Sequence, residues 1–338
     1  MLLVSTRRAT RRGALSHLGF MALALSCATV LGGASIDAQA QPYPNKVIKM
    51  IVPFGPGGPA DMIARPVAEK LGGMLGQAVI VENHAGASGT IAAALVANAP
   101  ADGYTLLLGT SNEITMSPTL YKSLPYDPNT AFAPISIAGE FANVLVVRPN
   151  LPAQNFEEFV KLARGKHLSF ASSGVGSTNH LTAELFKDLA KAEYNHVPYK
   201  GGGQAVVDVA GGQVDALFAT MPSAVALVKG GKMRALVTTG ATRAQALPDV
   251  PTGKEVGMPG LLVNTWNGIL APANTPRPIV DKLNAAIVKI VADADFKQKM
   301  VTMGAEARST SPDEYLAIIR DDYKRWAAVI KKAGIKPE

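Results

Sequence analysis

Two glycine-rich stretches each follow a short apolar run and precede a helical pattern. The first, at residues 54–61, reads Phe54-Gly55-Pro56-Gly57-Gly58-Pro59-Ala60-Asp61. Its glycines let the backbone approach a bound molecule, and free N–H groups at a helix start favour an anion. A tight strand-to-helix turn is the alternative, and a nucleotide loop is excluded because no Gly-Lys-Ser/Thr ending follows. The candidate ligand contacts here are Phe54, Gly57, Gly58 and Asp61.

The second stretch, at residues 172–180, reads Ser172-Ser173-Gly174-Val175-Gly176-Ser177-Thr178-Asn179-His180. It offers hydroxyl groups, an amide and further free N–H groups at a predicted helix start. It half-matches a dinucleotide fingerprint, but Asn179 stands where the third glycine belongs, so that match is weak. An ordinary hydroxyl-rich helix cap is the alternative. The candidate contacts here are Ser172, Ser177, Thr178 and His180.

A third polar cluster, Thr110-Ser111-Asn112, follows the third predicted strand. Tyr199 precedes Lys200 and three glycines, so its ring could wall a site while Lys200 offsets a ligand's charge. A Lys-Gly-Gly segment is more often an exposed turn. The candidate contacts here are Thr110, Ser111 and Tyr199.

Catalytic and metal chemistry find little support in the residues. Ser177 and His180 are close enough in sequence to suggest a hydrolase, but no G-x-S-x-G turn and no third triad member accompany them. Beyond residue 40 the four histidines lie at positions 84, 167, 180 and 196, without metal-ligand spacing. We therefore expect no catalytic residue, no metal site and no cofactor.

The first forty residues have the pattern of an export signal. Arg7, Arg8, Arg11 and Arg12 precede a long apolar run, and Ala38-Gln39-Ala40 forms a small-residue cleavage site. The paired arginines leave the Sec and twin-arginine routes both open. The only cysteine, Cys27, falls inside the apolar run, so the mature chain has no disulfide. A lipid attached to Cys27 is the weaker alternative.

The remaining 298 residues have the composition of a globular protein of two lobes. They carry 29 basic and 25 acidic residues, both scattered, so nucleic-acid binding is not expected. Short apolar runs alternate with helical stripes such as Ile63, Val67 and Leu71, which predicts an α/β fold with mainly parallel strands. Glycine loops at the carboxyl ends of such strands in two lobes would enclose a ligand.

The motifs resemble those of the Bug family, the extracytoplasmic solute receptors of tripartite tricarboxylate transporters. The resemblance covers nearly the whole mature chain and includes both glycine loops. It implies a two-lobed periplasmic-binding-protein (type II, Venus-flytrap) fold, with crossings near 144–147 and 266–270. Lobe 1 would comprise residues 41–143 and 268–338, and lobe 2 residues 144–267. Further matching segments are Val81-Glu82-Asn83, Asp102-Gly103-Tyr104, Leu124-Pro125-Tyr126-Asp127, His196-Val197-Pro198-Tyr199 and Leu247-Pro248-Asp249.

The resemblance implies a non-enzymatic periplasmic receptor that captures a small carboxylate for a secondary transporter. Many relatives have an acidic residue after the strand that ends at Phe218, whereas this chain has Ala219 and Thr220. That difference favours a di- or tricarboxylate or an aromatic acid over an amino acid. The resemblance also makes Thr220 a candidate ligand contact. Membrane subunits of the transporter are the expected partners, a sensor kinase is the alternative, and we expect a monomer.

Overall fold

The computed structural model describes residues 43–199 and 201–335. The predicted export signal at residues 1–40, with Cys27, lies outside the described residues, as does Lys200. No helix within the described part of the chain is both long enough and apolar enough to cross a membrane.

The strands of the described residues form one ten-stranded mixed sheet. Its order is β2-β1-β3-β9-β4-β7-β5-β6, and β8 and β10 both pair with β4. The strands are β1 (Ile48–Val52), β2 (Val79–Asn83), β3 (Thr105–Thr110), β4 (Phe132–Val147), β5 (Leu168–Ser172), β6 (Tyr194–Pro198), β7 (Ala216–Thr220), β8 (Arg234–Thr238), β9 (Asn264–Pro272) and β10 (Glu306–Ala307).

The strands pair in parallel at the two ends of the sheet and antiparallel in its middle. β1 lies parallel to β2 and β3, and β5 lies parallel to β6 and β7. Every pairing of β4 and β9 is antiparallel. The prediction of mainly parallel strands was therefore wrong for the middle, because long strands that join the two halves run against their neighbours there.

Strand β4 connects the two halves of the sheet. Residues up to Ala142 pair with β9, and those from Asn143 onward pair with β7 and β8. From the sequence, only the apolar run at residues 143–147 within this strand is predicted to be extended. Register shifts interrupt the earlier part beside Pro134 and Gly139, residue types that weaken an alternating strand pattern and mark bulges.

Helices pack on both halves of the sheet. Asn155 and Ser311 are each followed three residues later by a glutamate, a pattern that predicts a helix start. Both starts are confirmed, since the side chains of Asn155 and Ser311 accept the N–H groups of Glu158 and Glu314 at 2.9 and 3.1 Å. The helices are α1 (Pro59–Leu75), α2 (Thr90–Ala97), α3 (Ser117–Leu120), α4 (Phe156–Gly165), α5 (Thr178–Ala190), α6 (Gly202–Ala210), α7 (Met221–Lys229), α8 (Arg277–Ala292), α9 (Ala294–Thr302) and α10 (Pro312–Lys332).

The predicted apolar stripe of α1 is the face that packs on the sheet. Ile63, Val67 and Leu71 are at most 1% exposed. Burial of each such side chain contributes about 2 kcal/mol. The stripe therefore fixes α1 against the sheet and sets the direction of its N-terminus, which begins directly after the first glycine loop.

Candidate ligand-binding site

A cavity of about 730 Å³ lies where the loops after several strands converge. The walls of the cavity come from both halves of the sheet. Strands β4 and β9, which lie between the two halves, also contribute residues to it. The described lining residues are Phe54, Gly55, Pro56, Gly58, Pro59, Ala60, Ala85, Gly86, Ala87, Ser88, Gly89, Thr110, Asn112, Phe141, Ser173, Ser177, Thr178, Asn179, Gly201, Gly202, Gly203, Val206, Leu217, Ala219, Thr220, Ser223, Thr265 and Asn267.

The first glycine loop (residues 54–61) brings the N-terminus of α1 to the cavity. Phe54 and Gly58 line it, whereas Gly57 does not. Gly57 has a φ of 77°, a conformation that glycine adopts without strain. Gly58 is the N-cap residue, and no described side chain caps this helix. The first N–H groups of α1 therefore have no intrahelical partner and can bind an anion.

Asp61 holds this loop from behind the cavity wall. Its carboxylate accepts the Gly57 N–H at 2.9 Å, Arg65 Nε at 2.8 Å and Asn83 Nδ2 at 3.0 Å. Burial raises the pKa of Asp61, but the hydrogen bonds from Arg65, Gly57 and Asn83 outweigh burial and bring that pKa below its ordinary value. In this structure Asp61 positions the loop and does not line the cavity.

A third loop, residues 85–89, was not among the predicted contacts. It follows β2 just as the first glycine loop follows the neighbouring parallel strand β1. Ala87 and Ser88 have positive φ angles of 44° and 52°, which are strained for residues with a side chain. The clue in the sequence was the Gly86-Ala87-Ser88-Gly89 segment directly after a strand.

Thr110, the last residue of β3, and Asn112, just after it, line the cavity. Ser111 does not line it, is fully buried, and its hydroxyl has no partner among the described residues. Asn112 begins a π-helical turn, Asn112–Met116, and its Oδ1 accepts the Thr178 hydroxyl at 3.1 Å. This hydrogen bond joins the two halves of the cavity wall.

The second glycine loop (residues 172–180) places Ser177 and Thr178 on the cavity wall, with Ser173 and Asn179 beside them. Ser177 is the N-cap of α5, and its hydroxyl donates to the Gly174 carbonyl at 2.7 Å. The same oxygen accepts the His180 N–H at 3.4 Å. This helix start is consequently capped by its own loop, unlike the start of α1.

Ser172 and His180 lie behind the second loop and do not line the cavity. His180 Nδ1 accepts the Gly176 N–H at 3.0 Å, and its ring stacks on His196 with centroids 3.9 Å apart. The Ser172 hydroxyl is 2.7 Å from His196 Nε2. Burial, with the neighbouring His180, lowers the pKa of His196 to about 4. Ser172 and His180 therefore support the second glycine loop from behind.

The last two predicted contacts, Thr220 and Tyr199, differ in their position relative to the cavity. Thr220 lines the cavity, beside Ala219, and its hydroxyl is hydrogen-bonded to that of Ser223. Tyr199 does not line it, because its hydroxyl turns away and donates to Asp208 at 2.7 Å.

The floor of the cavity contains two polar side chains that sequence reasoning missed. Thr265 and Asn267 of β9 are 3% and 0% exposed. Thr265 Oγ1 and both Oδ1 and Nδ2 of Asn267 have no hydrogen-bond partner among the described residues. Leaving such buried groups unpaired costs about 1–3 kcal/mol each. A bound polar molecule would recover that energy.

The arrangement suits binding better than hydrolysis. The hydroxyl of Ser177 donates to a backbone carbonyl, and the His180 ring accepts from Gly176, so the two do not form a nucleophile–base pair. All side chains that line the cavity among the described residues are uncharged. Within that part of the chain, no cluster of three or more His, Cys, Asp or Glu could hold a metal.

Known proteins resemble this chain over most of its length. The sequence model of the tripartite tricarboxylate transporter family receptor matches residues 63–335. Protein BugT of Bordetella pertussis is 36% identical over 307 residues, which cover 90% of this chain and 94% of that protein.

Two solved structures extend the comparison to the fold. The periplasmic binding protein BugD is 34% identical, with a TM-score of 0.78, covering 88% of this chain and 100% of that one. An R. palustris protein with adipate is 35% identical, with a TM-score of 0.81 and the same coverages. The two-lobed α/β fold expected from the sequence is thereby confirmed.

Proposed function

Since the chain belongs to the receptor family of the tripartite tricarboxylate transporters, we propose that it captures a small carboxylate in this cavity and delivers it to such a transporter. The observation that carries the proposal is the cavity floor, where Thr265 and Asn267 keep buried polar atoms without partners. The adipate in the structurally similar R. palustris protein supports a carboxylate as the ligand.

The uncharged lining can still bind an anion. The uncapped start of α1 offers backbone N–H groups and the positive end of a helix dipole. The Thr265 hydroxyl and the Asn267 amide supply further donors, since neither has a hydrogen-bond partner among the described residues. Beside the buried floor formed by Thr265 and Asn267, such oriented dipoles stabilise charge more strongly than they would in solvent.

The ligand is proposed to lack an amine. An ammonium group needs an acidic partner when it leaves water, and Ala219 and Thr220 supply none on this wall. Apolar side chains such as Phe54, Phe141 and Leu217 also line the cavity. A di- or tricarboxylate, or an aromatic acid, fits both features.

Ligand contact is proposed for Phe54, Gly58, Thr110, Ser177, Thr178 and Thr220, the predicted residues that line the cavity. Among the other predicted residues, Asp61 and His180 act indirectly, by holding the two glycine loops in place. The lobes are proposed to be residues 41–143 with 268–338, and 144–267. The change of partners along β4 between Ala142 and Asn143 supports a boundary there.

The two lobes are proposed to close on the ligand, because a ligand that contacts both walls favours the state in which the walls are close. We propose that the protein works in the periplasm as a monomer, with the membrane subunits of the transporter as its partners. The family and the similarity to periplasmic BugD support this location.

A binding screen tests the proposal. Ligand-stripped protein is mixed with adipate, malate, citrate, benzoate and glutamate, and the melting temperature is measured. A ligand present at a concentration well above its Kd raises the melting temperature by mass action. We expect a shift with at least one amine-free acid and none with its amide. A shift with glutamate alone would contradict the proposed ligand class.

A matched pair of variants locates the site. Thr265→Val removes an unpaired buried hydroxyl, so the free energy of unfolding should not fall, while affinity for the acid should drop about tenfold or more. Thr302→Val, on the exposed face of α9, should change neither. Unchanged affinity in Thr265→Val would place the ligand elsewhere.

A further inference from the structure

A buried carboxyl group lies directly behind the cavity wall. Glu113 is the second residue of the π-helical turn Asn112–Met116 and is 0% exposed. Within the described residues it forms no ion pair with a basic side chain within 4 Å. A buried carboxylate without a cation is costly, and such a group tends to take up a proton instead.

The contacts of Glu113 are with residues that line the cavity. Its Oε1 accepts the backbone N–H of Thr110, and its Oε2 lies 2.7 Å from Thr110 Oγ1. A Cβ atom added to Gly89 would come within 2.8 Å of the same Oε2. Because Thr110 and Gly89 both line the cavity, the carboxyl is separated from a bound anion by one layer of residues.

The hydroxyl of Thr110 has one proton and two lone pairs to place. One lone pair accepts the Asn112 N–H at 3.2 Å. If Glu113 is ionised, the Thr110 proton must point at Glu113, and the second lone pair faces the cavity. If Glu113 is protonated, its O–H can donate to that lone pair, and the Thr110 proton is free to donate into the cavity. Only the second arrangement attracts an anion.

The charge of Glu113 affects anion binding in the same way as the direction of the Thr110 hydroxyl. An ionised Glu113 would repel a carboxylate on the other side of Thr110, and burial leaves little solvent to screen that repulsion. Burial raises the pKa of Glu113 to about 8, against the lowering effect of its hydrogen bonds from Thr110. Burial thereby favours the protonated, anion-attracting form of Glu113.

We propose that Glu113 is a positioning residue that must carry a proton for this cavity to hold an anion, acting through the direction of the Thr110 hydroxyl. The inference rests on the proposed function, because it concerns how the same cavity binds its acid. Above the pKa of Glu113, each binding event would transfer one proton from water to the Glu113 carboxylate. Binding would then weaken as the pH rises.

Other titratable groups face the region of Glu113. Tyr126 donates its hydroxyl to the Glu113 carbonyl at 2.6 Å, and Tyr315 of α10 faces the same region. Burial raises the pKa of both phenols, so both stay neutral at high pH. Asp322 of α10 accepts Trp266 Nε1 at 2.6 Å, and burial raises its pKa as well. The turn at residues 87–89, strand β3, and helices α2 and α3 contain no titratable side chain. Glu113→Gln therefore separates a pH dependence caused by Glu113 from one caused by Asp322.

Titration calorimetry with adipate tests the inference on the full mature chain. For the wild type, affinity should be constant from about pH 6.5 to about pH 8 and then fall about tenfold per pH unit. Glu113→Gln keeps an oxygen for the Thr110 N–H and an NH₂ group for the Thr110 hydroxyl. It should bind adipate like the wild type at about pH 6.5, with no fall at higher pH. Citrate replaces adipate if only citrate binds in the screen.

Glu306→Gln is the matched control, because burial also raises the pKa of Glu306, which does not line the cavity. This variant should keep the wild-type pH profile. A wild-type affinity that is flat across the range, or an equal fall in Glu113→Gln, would overturn the inference while leaving the proposed function intact.

Infrared spectroscopy of the ligand-free protein gives a second readout. The carbonyl band of a protonated carboxylic acid should be present near neutral pH, disappear as the pH rises through about 8, and be missing in Glu113→Gln. A Glu113 carboxyl that is ionised in the complex with adipate at about pH 6.5 would overturn the inference. Failure of every acid to bind would count against the proposed function instead.

Discussion

The two glycine loops have the same plan, a strand followed by glycines and a helix start, but they satisfy their backbones differently. The first leaves the start of α1 uncapped and uses Asp61, behind it, to hold Gly57. The second caps its own helix with Ser177 and rests on the stacked rings of His180 and His196. The first loop therefore presents free N–H groups to the cavity, while the second presents side chains.

The same comparison separates residues that contact a ligand from residues that hold a loop. Short glycine loops have few side chains for both tasks, so neighbouring strands add to the support that Asp61 and His180 give from within the loops. Asn83 of β2 supports the first loop, and His196 of β6 supports the second. Substitutions in the two loops should therefore differ in kind as well as in size.

The largest effect is expected from Asp61→Ala in the first loop. The substitution leaves the Gly57 N–H without its acceptor and removes one of the two acceptors of Asn83 Nδ2, which keeps the Phe54 carbonyl at 2.8 Å. The expected cost is about 2 kcal/mol in the free energy of unfolding. Ligand affinity should fall with it, because the loop loses its support. Denaturant unfolding and calorimetry measure the two effects.

Asp281→Ala is the control for that change, since Asp281 also pairs with an arginine four residues away but is exposed. It should leave both quantities nearly unchanged. Equal behaviour of the two variants would show that Asp61 does not support the loop.

Adding one methyl group to each loop should give unequal results. Gly176 has a φ of 71°, and an added Cβ would lie 2.5 Å from Leu120 Cδ1. Gly57 has a similar φ of 77° but open space around it. We expect Gly176→Ala to lower the free energy of unfolding by about 2 kcal/mol, and Gly57→Ala by about 1 kcal/mol.

A second substitution checks the cause of that inequality. Leu120→Ala combined with Gly176→Ala should remove the clash and leave only the backbone strain. If the double variant is no better than the sum of the two single variants, contact with Leu120 is not the reason for the difference.

Removal of the cap in the second loop should have a smaller effect on stability. Ser177→Ala and Ser311→Ala each remove an N-cap hydroxyl, at a cost of about 1 kcal/mol. Only Ser177 lines the cavity, so only Ser177→Ala should weaken ligand binding. Equal affinities in the two variants would leave Ser177 with the capping role alone.

A fall in pH should act on the second loop, through His196. The pKa of His196 is about 4 in the folded protein and about 6.5 as a free side chain. A base with a lowered folded pKa contributes stability above 6.5 and loses it as the pH falls through 4. His196→Gln should therefore show a smaller loss of melting temperature between these pH values, whereas His167→Gln, on an exposed residue, should behave like the wild type.

Local sequence patterns predicted several parts of the fold well. Asn155 and Ser311 were correctly predicted to be helix caps, because a capping residue and the N–H group that it accepts are only three residues apart. The stripe of α1 is likewise a local pattern. The first part of β4 was missed, because its pairing with β9 joins residues more than a hundred positions apart.

The sequence by itself determined the alternation of strands and helices, both glycine loops and the family. It could not determine which loop residues face the cavity. Asn267 reaches the floor because β9 pairs with β3 and sets Asn267 opposite Thr110. Glu113 lies behind the wall because a π-helical turn folds it back on Thr110. Such placements depend on contacts between distant segments, which only the tertiary structure brings together.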